Sequence, residues 1–276
     1  MSDPALPLQR AADWLRSADA LLITAGAGLG IDSGLPDFRG PAGFWSVYPA
    51  LCRAGIAFES IANPAAFTHD PQLAWGFYGH RLNLYRHTEP HTGFRQLLDL
   101  AAAKPHGTRV FTSNVDGQFQ KAGFASDAIC EIHGSIHHLQ CVDNCRGSIW
   151  PADDFQPIVD DENCRLLNDA PRCPHCGGLA RPNILMFGDS DWEERRTALQ
   201  YQRLTEWLAS VKRPLCIEIG AGSAIPTVRC FSEHHGWRLI RINPRETQVP
   251  DPQTGIGLPL GSLAGLDQLG QALAAG

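Results

Sequence analysis

Long apolar runs are missing from this 276-residue sequence. None approaches the length of about 18 residues that a transmembrane helix needs, so we expect no membrane span and no membrane partner. The N-terminal stretch MSDPALPLQRAADWL also has no apolar segment of the kind that secretory signal peptides carry. These two absences predict a cytoplasmic protein.

An excess of positive charge is missing as well. Lysine and arginine number 23 against 29 aspartates and glutamates, which gives a net charge of −6. General binding to nucleic acid requires a basic surface, so we expect no nucleic-acid partner. The sequence has no internal repeat or low-complexity segment, and nothing in it indicates an oligomeric state. Hydrophobic residues make up 43% of the chain, which is enough for a sizeable core.

Nine cysteines are unusual for a chain without an export signal, because disulfides are rare in a reducing cytoplasm. Four of them form two closely spaced pairs, Cys141 with Cys145 and Cys173 with Cys176. Such spacing lets two thiolates of one turn meet a single tetrahedral ion. We therefore predict a structural zinc site, in which four thiolates leave no open position for catalysis.

Other cysteines and histidines surround this predicted zinc site without sharing its spacing. His137, His138 and His175 are alternative zinc ligands, although we expect surface or capping roles for them. The remaining cysteines are scattered in mostly apolar settings, where we expect small buried side chains. They are Cys52, Cys130, Cys164, Cys216 and Cys230.

Apolar strand patterns alternate with amphipathic helix patterns along most of the chain. This alternation predicts an α/β fold with a doubly wound, parallel, Rossmann-like sheet. Residues 41–95 are rich in aromatic residues and helical patterns, and we assign them to an inserted helical module. Residues 134–182, rich in Cys, Pro, Gly and Asp, form the predicted zinc-binding insert. The Rossmann-like domain then comprises residues 1–40, 96–133 and 183–276.

A glycine-rich turn follows the first predicted strand, in the stretch TAGAGLGIDSGLPDFRG (24–40). A buried strand that runs into such a turn presents backbone N–H groups to a pyrophosphate. The usual G-x-G-x-x-G spacing is not met, because Gly30 comes early and Ile31 takes the place of the last glycine. An ordinary dehydrogenase fingerprint is therefore a poor fit.

Three other polar tracts also follow predicted strands: TSNVD, EIGAG and RINP. Parallel sheets bind ligands beyond the carboxyl ends of their strands, so the four tracts converge on one predicted site.

Six tracts in this order resemble the motifs of the sirtuin family, and the resemblance covers roughly residues 18–270. The two cysteine pairs fall in the expected place between them. The tracts are TAGAGLGIDSGLPDFRG (24–40) for G-A-G-x-S-x-x-S-G-I-P-D-F-R, TSNVDGQFQKAG (112–123) for T-Q-N-I-D-x-L-H-x-x-A-G, EIHG (131–134) for E-x-H-G, RPNILMFGD (181–189) for R-P-x-V-V-x-F-G-E, EIGAGSAIP (218–226) for the G-T-S segment and RIN (241–243) for the I-N segment.

The resemblance implies an NAD-dependent protein-lysine deacylase. In this family the acyl-lysine carbonyl oxygen attacks the anomeric carbon of the nicotinamide ribose, and nicotinamide leaves. A histidine base, here His133, then deprotonates a ribose hydroxyl, and the products are free lysine, nicotinamide and O-acyl-ADP-ribose. Asn114 and Asp116 match the polar pair of the nicotinamide and ribose pocket and complete the implied catalytic set. A turn at a strand end is the structural alternative for that pair.

The resemblance also implies binding residues. Ile184 and Phe187 match the peptide channel, with ordinary core packing as the alternative. Tyr78 and Arg81 match a Tyr-x-x-Arg pair that binds the distal carboxylate of succinyl or malonyl groups in some sirtuins. The implied cofactor-binding residues are Ala25, Gly26, Ala27, Gly28, Asp37, Phe38, Arg39, Ser113, Asn114, Asp116, Gly220, Gly222, Ser223 and Asn243.

The chain departs from the family pattern close to the cofactor. Gly30 and Gly222 stand where the family has serine, Ala221 replaces a threonine, and Ser113 replaces a glutamine. Each lost hydrogen bond would cost on the order of 1 kcal/mol. Two alternatives therefore stay open: ADP-ribosyl transfer or NAD hydrolysis on the same scaffold, and a non-enzymatic NAD sensor.

Overall fold

A computed structural model of the chain describes residues 5–36 and 40–275. The strands in these ranges are β1 Ala20–Ala25, β2 Thr108–Thr112, β3 Ile129–Glu131, β4 Gly134–Cys141, β5 Ile149–Pro151, β6 Val159–Asp160, β7 Arg165–Leu166, β8 Ala180–Ile184, β9 Pro214–Ile219, β10 Arg238–Ile242 and β11 Gly255–Leu258. The α-helices are α1 Ala5–Ser17, α2 Gly40–Val47, α3 Pro49–Arg53, α4 Phe58–Ile61, α5 Pro64–His69, α6 Pro71–His87, α7 Thr92–Ala102, α8 Gln118–Lys121, α9 Arg195–Ser210, α10 Thr227–His235 and α11 Ser262–Ala274.

Six parallel strands form the central sheet, in the order β11-β10-β9-β1-β2-β3. The chain winds outward from β1 in one direction and from β9 in the other. This is the doubly wound arrangement that the sequence predicts, and it places the topological switch point between β1 and β9. The predicted fold class is confirmed. Ligands of such sheets bind at the switch point, beyond the carboxyl ends of the strands.

Helices cover both faces of this sheet, which explains why its central strands are apolar without alternation. All six residues of β1 and all six of β9 are buried. Helices α1, α7 and α11 pack on one face and contribute side chains such as Leu15, Leu97 and Leu269. Helices α9 and α10 pack on the other face, where Phe111 and Phe231 stack with ring centroids 3.8 Å apart.

A second, smaller lobe joins the helices from α2 to α6 with the antiparallel sheet β5-β4-β8. One hydrophobic core serves both parts, since aromatic residues of the helices pack among side chains of the small sheet. The Trp75 indole N–H donates to the Ala180 carbonyl at 2.9 Å, which ties α6 directly to β8. Strand β8 runs two residues past 182, where the zinc insert is predicted to end.

Helix α6 carries the predicted acyl-binding pair, and its start is set by local chemistry. Asp70 caps the helix, because its carboxylate accepts the Leu73 backbone N–H at 3.1 Å, and Pro71 occupies the first turn. Asp70 also receives both hydrogen bonds from the Arg165 guanidinium, at 2.6 and 2.8 Å. The cap therefore fixes α6 against β7 of the same lobe.

Two of the scattered cysteines are not buried as expected. Cys130, Cys164 and Cys216 are buried, but Cys52 and Cys230 are exposed. Both exposed thiols lie on short helices whose neighbouring apolar residues take the inward face, so the helical period turns the cysteines toward solvent. None of the helices in the described ranges has the length and apolar character to cross a membrane.

Candidate active site

The turns after β1 and β9 lie backbone against backbone at the switch point. Gly28 donates its N–H to the Gly220 carbonyl at 3.0 Å, and Gly26 donates to the Ile219 carbonyl at 3.0 Å. A Cβ on Gly26 would lie 2.8 Å from the Ala221 Cα, and one on Gly220 would lie 2.4 Å from Gly28. Gly220 also has a φ of +65°, so both positions require glycine.

The polar tract after β2 is tied to the same glycine-rich turn. The Asn114 side-chain amide donates to the Gly26 carbonyl at 3.1 Å, and the Ser113 N–H donates to the Ala25 carbonyl at 3.2 Å. Asp116 is 8% exposed, and its carboxylate accepts the Gln118 N–H at 2.9 Å. The structure therefore brings the predicted nicotinamide-pocket residues beside the predicted phosphate turn.

His133 lies two residues after β3, on the same edge of the sheet. Ile132 donates its N–H to the Thr112 carbonyl at 2.9 Å, which fixes this segment next to the end of β2. The Leu185 N–H donates to the His133 carbonyl at 2.9 Å, so the predicted peptide-binding loop starts directly beside the predicted base. His133 itself is half-buried.

Burial sets the protonation states of His133 and Asp116. Desolvation holds the pKa of His133 below its ordinary value, so the imidazole is neutral at pH 7 and can accept a proton. Burial raises the pKa of Asp116 to about 6, and the nearby Glu131 carboxylate adds to this rise. Shifted pKa values of this kind are common at functional sites.

The remaining turn residues on the cofactor side include two with unexpected contacts. Asn243 is fully buried, and its side chain bonds to the Ala221 carbonyl at 2.8 Å and to the Glu246 N–H at 2.9 Å. Asn243 therefore shapes its loop. The Ser223 N–H donates to the Glu246 carboxylate at 2.8 Å. A Cβ on Gly222 would meet only a Glu246 oxygen, at 3.9 Å, so this position opens into space.

Ala25 ends β1, and Ala27 begins a 3₁₀ helix that runs to Ser33. The predicted cofactor residues Asp37, Phe38 and Arg39 lie outside the described residues. The glycines among the other predicted cofactor residues fit a dinucleotide pyrophosphate. The glycine turns leave no side chain between a ligand and the backbone, and they converge at the switch point where such ligands bind.

Four cysteine Sγ atoms form the only group with metal-ligand geometry among the described residues, and all lie within 4.8 Å of one another. Cys141 and Cys176 are 3.7 Å apart, and Cys145 and Cys173 are 3.6 Å apart. Thiolates bound tetrahedrally at about 2.3 Å from zinc lie about 3.8 Å from each other, so the set fits the ion. The four cysteines therefore fit a zinc site, and this group contains no histidine.

The predicted peptide-channel residues have different surroundings. Ile184 is 7% exposed and packs in the core of the small lobe, whereas Phe187 is 37% exposed. The Phe187 N–H donates to the Ala62 carbonyl at 2.9 Å, and its ring meets Phe58 edge to face. Phe187 is therefore partly exposed beside α4, while Ile184 packs in the core.

The Tyr78 and Arg81 side chains are buried inside the small lobe. Tyr78 is 1% exposed and stacks on Phe67 with ring centroids 5.6 Å apart. Burial raises the pKa of Tyr78, so its phenol stays protonated and can donate a hydrogen bond. Arg81 is 9% exposed, and its guanidinium lies over the Phe77 ring at 5.3 Å. Burial raises the pKa of Asp116, and the positive charge of Arg81 partly opposes this rise, so Arg81 acts electrostatically on Asp116.

Sequence reasoning missed three contacts that shape the site. Asp189 receives two hydrogen bonds from the fully buried Arg181, at 2.7 and 2.8 Å, and closes the loop that follows β8. Glu246 occupies the Ser223 N–H, and Tyr85 contacts Arg81. Tyr85 could have been found from its helical spacing of four residues after Arg81. The other two contacts join tracts whose pairing the sequence alone does not specify.

A model of the Sir2 family matches residues 26–211, which is more than half of the sequence. The chain belongs to the Sir2 family. NAD-dependent protein deacylase 2 of Pyrobaculum aerophilum is 34% identical over 242 residues, which cover 86% of this chain and 85% of the relative. Mitochondrial NAD-dependent protein deacylase sirtuin-5 of Danio rerio is 29% identical over 246 residues, covering 84% of this chain and 75% of the relative.

Solved structures agree with this assignment at the level of the fold. The crystal structure of a Sir2 homolog–NAD complex matches with a TM-score of 0.70 at 22% identity, and the match covers 97% of this chain and 94% of that one. The predicted sirtuin resemblance is therefore confirmed, and so is the combination of a Rossmann-like sheet with a zinc-binding cysteine cluster.

Removal of one zinc ligand should release the metal and destabilise the small lobe. We expect the purified Sir2-family protein to contain one zinc ion per chain and Cys173→Ser to contain far less, with a melting temperature lower by several degrees, because structural zinc contributes directly to folding. Cys230→Ser is the matched control, since Cys230 is exposed and outside the cluster. Elemental analysis and thermal unfolding measure both effects, and full zinc occupancy in Cys173→Ser would contradict this assignment.

Replacing Asp116 with asparagine should stabilise the fold while it disables the site. The pKa of Asp116 rises from 3.8 in the unfolded chain to about 6 in the fold, so ionisation opposes folding as pH increases through this window. Two pKa units correspond to about 3 kcal/mol, an upper bound for the gain of Asp116→Asn at pH 8. The gain should shrink by roughly half at pH 5. Urea unfolding of both proteins at these two pH values measures it, and an equal or negative gain at pH 8 would count against the raised pKa.

Proposed function

We propose that this Sir2-family protein is an NAD-dependent protein-lysine deacylase whose preferred substrates carry acidic acyl groups. The proposal is supported by Asn114, whose side chain bonds to the glycine turn after β1, and by His133, which follows β3 at the carboxyl end of the same sheet. The half-buried, neutral His133 supports the role of base. The names of the relatives from Pyrobaculum aerophilum and Danio rerio support NAD-dependent deacylation of proteins.

Each group of site residues would have its own role, set by its position in the fold. NAD supplies an ADP-ribose acceptor for the acyl group, with nicotinamide as the leaving group. The turns at Gly26 and Gly220 would let the pyrophosphate approach the backbone closely, because their glycines carry no side chain. Asn114 and Asp116 would orient the carboxamide and the ribose, since a buried amide and carboxyl group offer both donors and acceptors. His133 would accept the proton of a ribose hydroxyl during acyl transfer.

A protein segment would enter beside the loop that follows β8. Leu185 and Phe187 are 39% and 37% exposed there, and the Leu185 N–H is bonded to His133. An extended peptide next to this loop would place an acyl-lysine close to the base, as in peptide recognition by strand addition. We also propose a cytoplasmic location, because the four zinc thiolates must stay reduced.

The acidic-acyl preference rests on Tyr78 and Arg81. A neutral phenol and a guanidinium on one helix face can bind a carboxylate through charge-assisted hydrogen bonds. Aromatic rings surround Arg81, so water is largely excluded and its charge acts at short range on a ligand. A terminal carboxylate on the acyl chain would form charge-assisted hydrogen bonds with Arg81, which an acetyl group cannot do.

Release of nicotinamide should depend on both the peptide and His133. We expect release from NAD with a succinyl-lysine peptide, less release with an acetyl-lysine peptide, and loss of peptide-dependent turnover in His133→Ala. His106→Ala is the matched control, because His106 is exposed and precedes β2, at the opposite edge of the sheet. Release that persists without peptide would instead favour ADP-ribosyl transfer or NAD hydrolysis, and bound but intact NAD would favour a sensor.

The pH profile should report the protonation of His133. The pKa of this imidazole lies below its ordinary value of 6.5, so the base stays deprotonated down to that pH. We therefore expect kcat/KM for the succinyl peptide to remain at its plateau from pH 8 to about 7 and to reach half of it below pH 6.5. A half-maximal point clearly above 6.5 would show that another group limits the reaction.

Substitution of Arg81 should separate acidic from neutral acyl groups. We expect Arg81→Gln to lower kcat/KM for succinyl-lysine by about a hundredfold, because charge-assisted hydrogen bonds in a buried site contribute about 1.5–3 kcal/mol. Activity on acetyl-lysine should change less than about threefold. Arg95→Gln is the control, since Arg95 is exposed on α7 and pairs only with Asp99 among the described residues. Equal losses on both peptides would argue against an acyl-binding role.

A further inference from the structure

His91 lies directly before helix α7 and contacts the 3₁₀ helix that follows β1. One ring nitrogen, Nδ1, accepts the Gly93 N–H at 3.1 Å and caps α7. The other ring nitrogen, Nε2, lies 3.0 Å from the carbonyl oxygen of Leu29. Leu29 is part of the 3₁₀ helix Ala27–Ser33, which contains two of the predicted cofactor residues. The half-buried imidazole therefore links α7 to the predicted cofactor turn.

His91 also holds the far end of this 3₁₀ helix. Its backbone N–H donates to the Ser33 hydroxyl oxygen at 3.0 Å. Asp32, next to Ser33, accepts the Ser262 hydroxyl and the Leu263 N–H at 2.8 Å each, at the start of α11. The 3₁₀ helix is thus attached to α7 and to α11, and His91 contacts it at two points.

The two bonds of the ring determine its protonation state. The Gly93 N–H can only donate, so Nδ1 carries no proton, and the Leu29 carbonyl can only accept, so Nε2 carries one. His91 is therefore the neutral tautomer with its proton on Nε2. A second proton on Nδ1 would face the Gly93 N–H, and the ring would lose the position from which it bonds to Leu29.

The surroundings of the ring favour this neutral form. Burial holds the pKa of His91 below its ordinary value of 6.5, while the Leu29 carbonyl and the carboxylates of Asp32 and Asp267 partly oppose this shift. These two carboxylates are the charged groups that face the ring from the 3₁₀ helix and from α11. The imidazole is thus neutral at pH 7 and becomes charged on acidification.

We propose that His91 is a positioning residue for NAD, whose neutral ring holds the 3₁₀ helix after β1 in the place that cofactor binding requires. The inference rests on the proposed cofactor role of the glycine turn, and the role needs no contact between His91 and the cofactor. Protonation of the ring releases Leu29, so the turn loses one of its attachments. Acidification then weakens cofactor binding through a group other than His133.

The experiment measures ADP-ribose binding by calorimetry, so that it depends neither on turnover nor on an acyl peptide. His91→Asn keeps a side chain that caps helices but is too short to reach Leu29. At pH 8 we expect this variant to bind ADP-ribose about fivefold more weakly, because a hydrogen bond that fixes the turn is lost.

His91→Gln is the complementary variant. Its longer side chain places an amide N–H near the position of Nε2, so it can still donate to Leu29, but glutamine is a poor helix cap. We expect its affinity for ADP-ribose to stay within about twofold of the wild type, although its melting temperature is lower. A role in packing alone would instead make affinity and melting temperature fall together in both variants.

The pH dependence supplies a second readout. From pH 8 to pH 5.5 the wild type should lose up to about fivefold more affinity than His91→Asn, because only the wild type has a ring to protonate at this position. His133 and Asp116 titrate in the same range but are present in both proteins, so the comparison removes their effect. His235→Asn is the matched control, since His235 is also half-buried but ends α10 at the opposite edge of the sheet.

The possible outcomes lead to different conclusions. Wild-type affinity in His91→Asn at pH 8, losses in both variants that follow their melting temperatures, or an undiminished pH dependence in His91→Asn would each overturn the positioning role while the deacylase function stands. A wild type that binds no ADP-ribose overturns the cofactor turn and the proposed function together. ADP-ribose binding that depends on His91, without nicotinamide release from NAD with any acyl-lysine peptide, overturns the deacylase function alone.

Discussion

The site depends on one close contact, the approach of the turn after β1 to the turn after β9. No side chain fits between these backbones, since a Cβ on Gly26 or on Gly220 would collide with the opposite turn. The contact brings the carboxyl ends of two neighbouring strands together at the switch point. From β2, the Asn114 side chain donates to the Gly26 carbonyl and joins the same contact. A side chain at either glycine would displace the two turns and, with Gly26, the Asn114 side chain.

Buried ion pairs hold the peripheral parts of the site in register with this centre. Arg241 on β10 pairs with Glu218 on β9 at 2.5 and 2.9 Å, both side chains 1% exposed, just before the strands reach their cofactor turns. Arg181 and Asp189 do the same for the loop beside His133. Such pairs add little net stability after desolvation, but breaking one leaves an uncompensated buried charge. They specify one arrangement of the loops, which a site with several converging turns requires.

Sequence patterns predicted the central sheet well, because fully buried parallel strands produce uninterrupted apolar runs that match β1, β9 and β10. Sequence patterns predicted less well those features that tertiary contacts determine. Helix α9 begins at Arg195, and its first residues are mostly polar, so no apolar pattern marks its start. The positions of Asn114 and His133 followed from motif order, yet the Arg81–Tyr85 contact and the Ser223–Glu246 contact needed coordinates. Side-chain partners depend on packing that no local pattern records.

The cofactor-side departures from the family pattern differ in their physical consequence. At Gly30 a Cβ would lie 2.8 Å from the end of the buried Leu35 side chain, so a serine there would require Leu35 to shift. At Gly222 the space stays open, and the nearby Glu246 carboxylate accepts the Ser223 N–H while it faces Arg229 at 3.5 Å. Leu35 thus packs in the place that a serine side chain would take. At Gly222, by contrast, a serine side chain would fit without a clash, with the Glu246 carboxylate as its nearest neighbour.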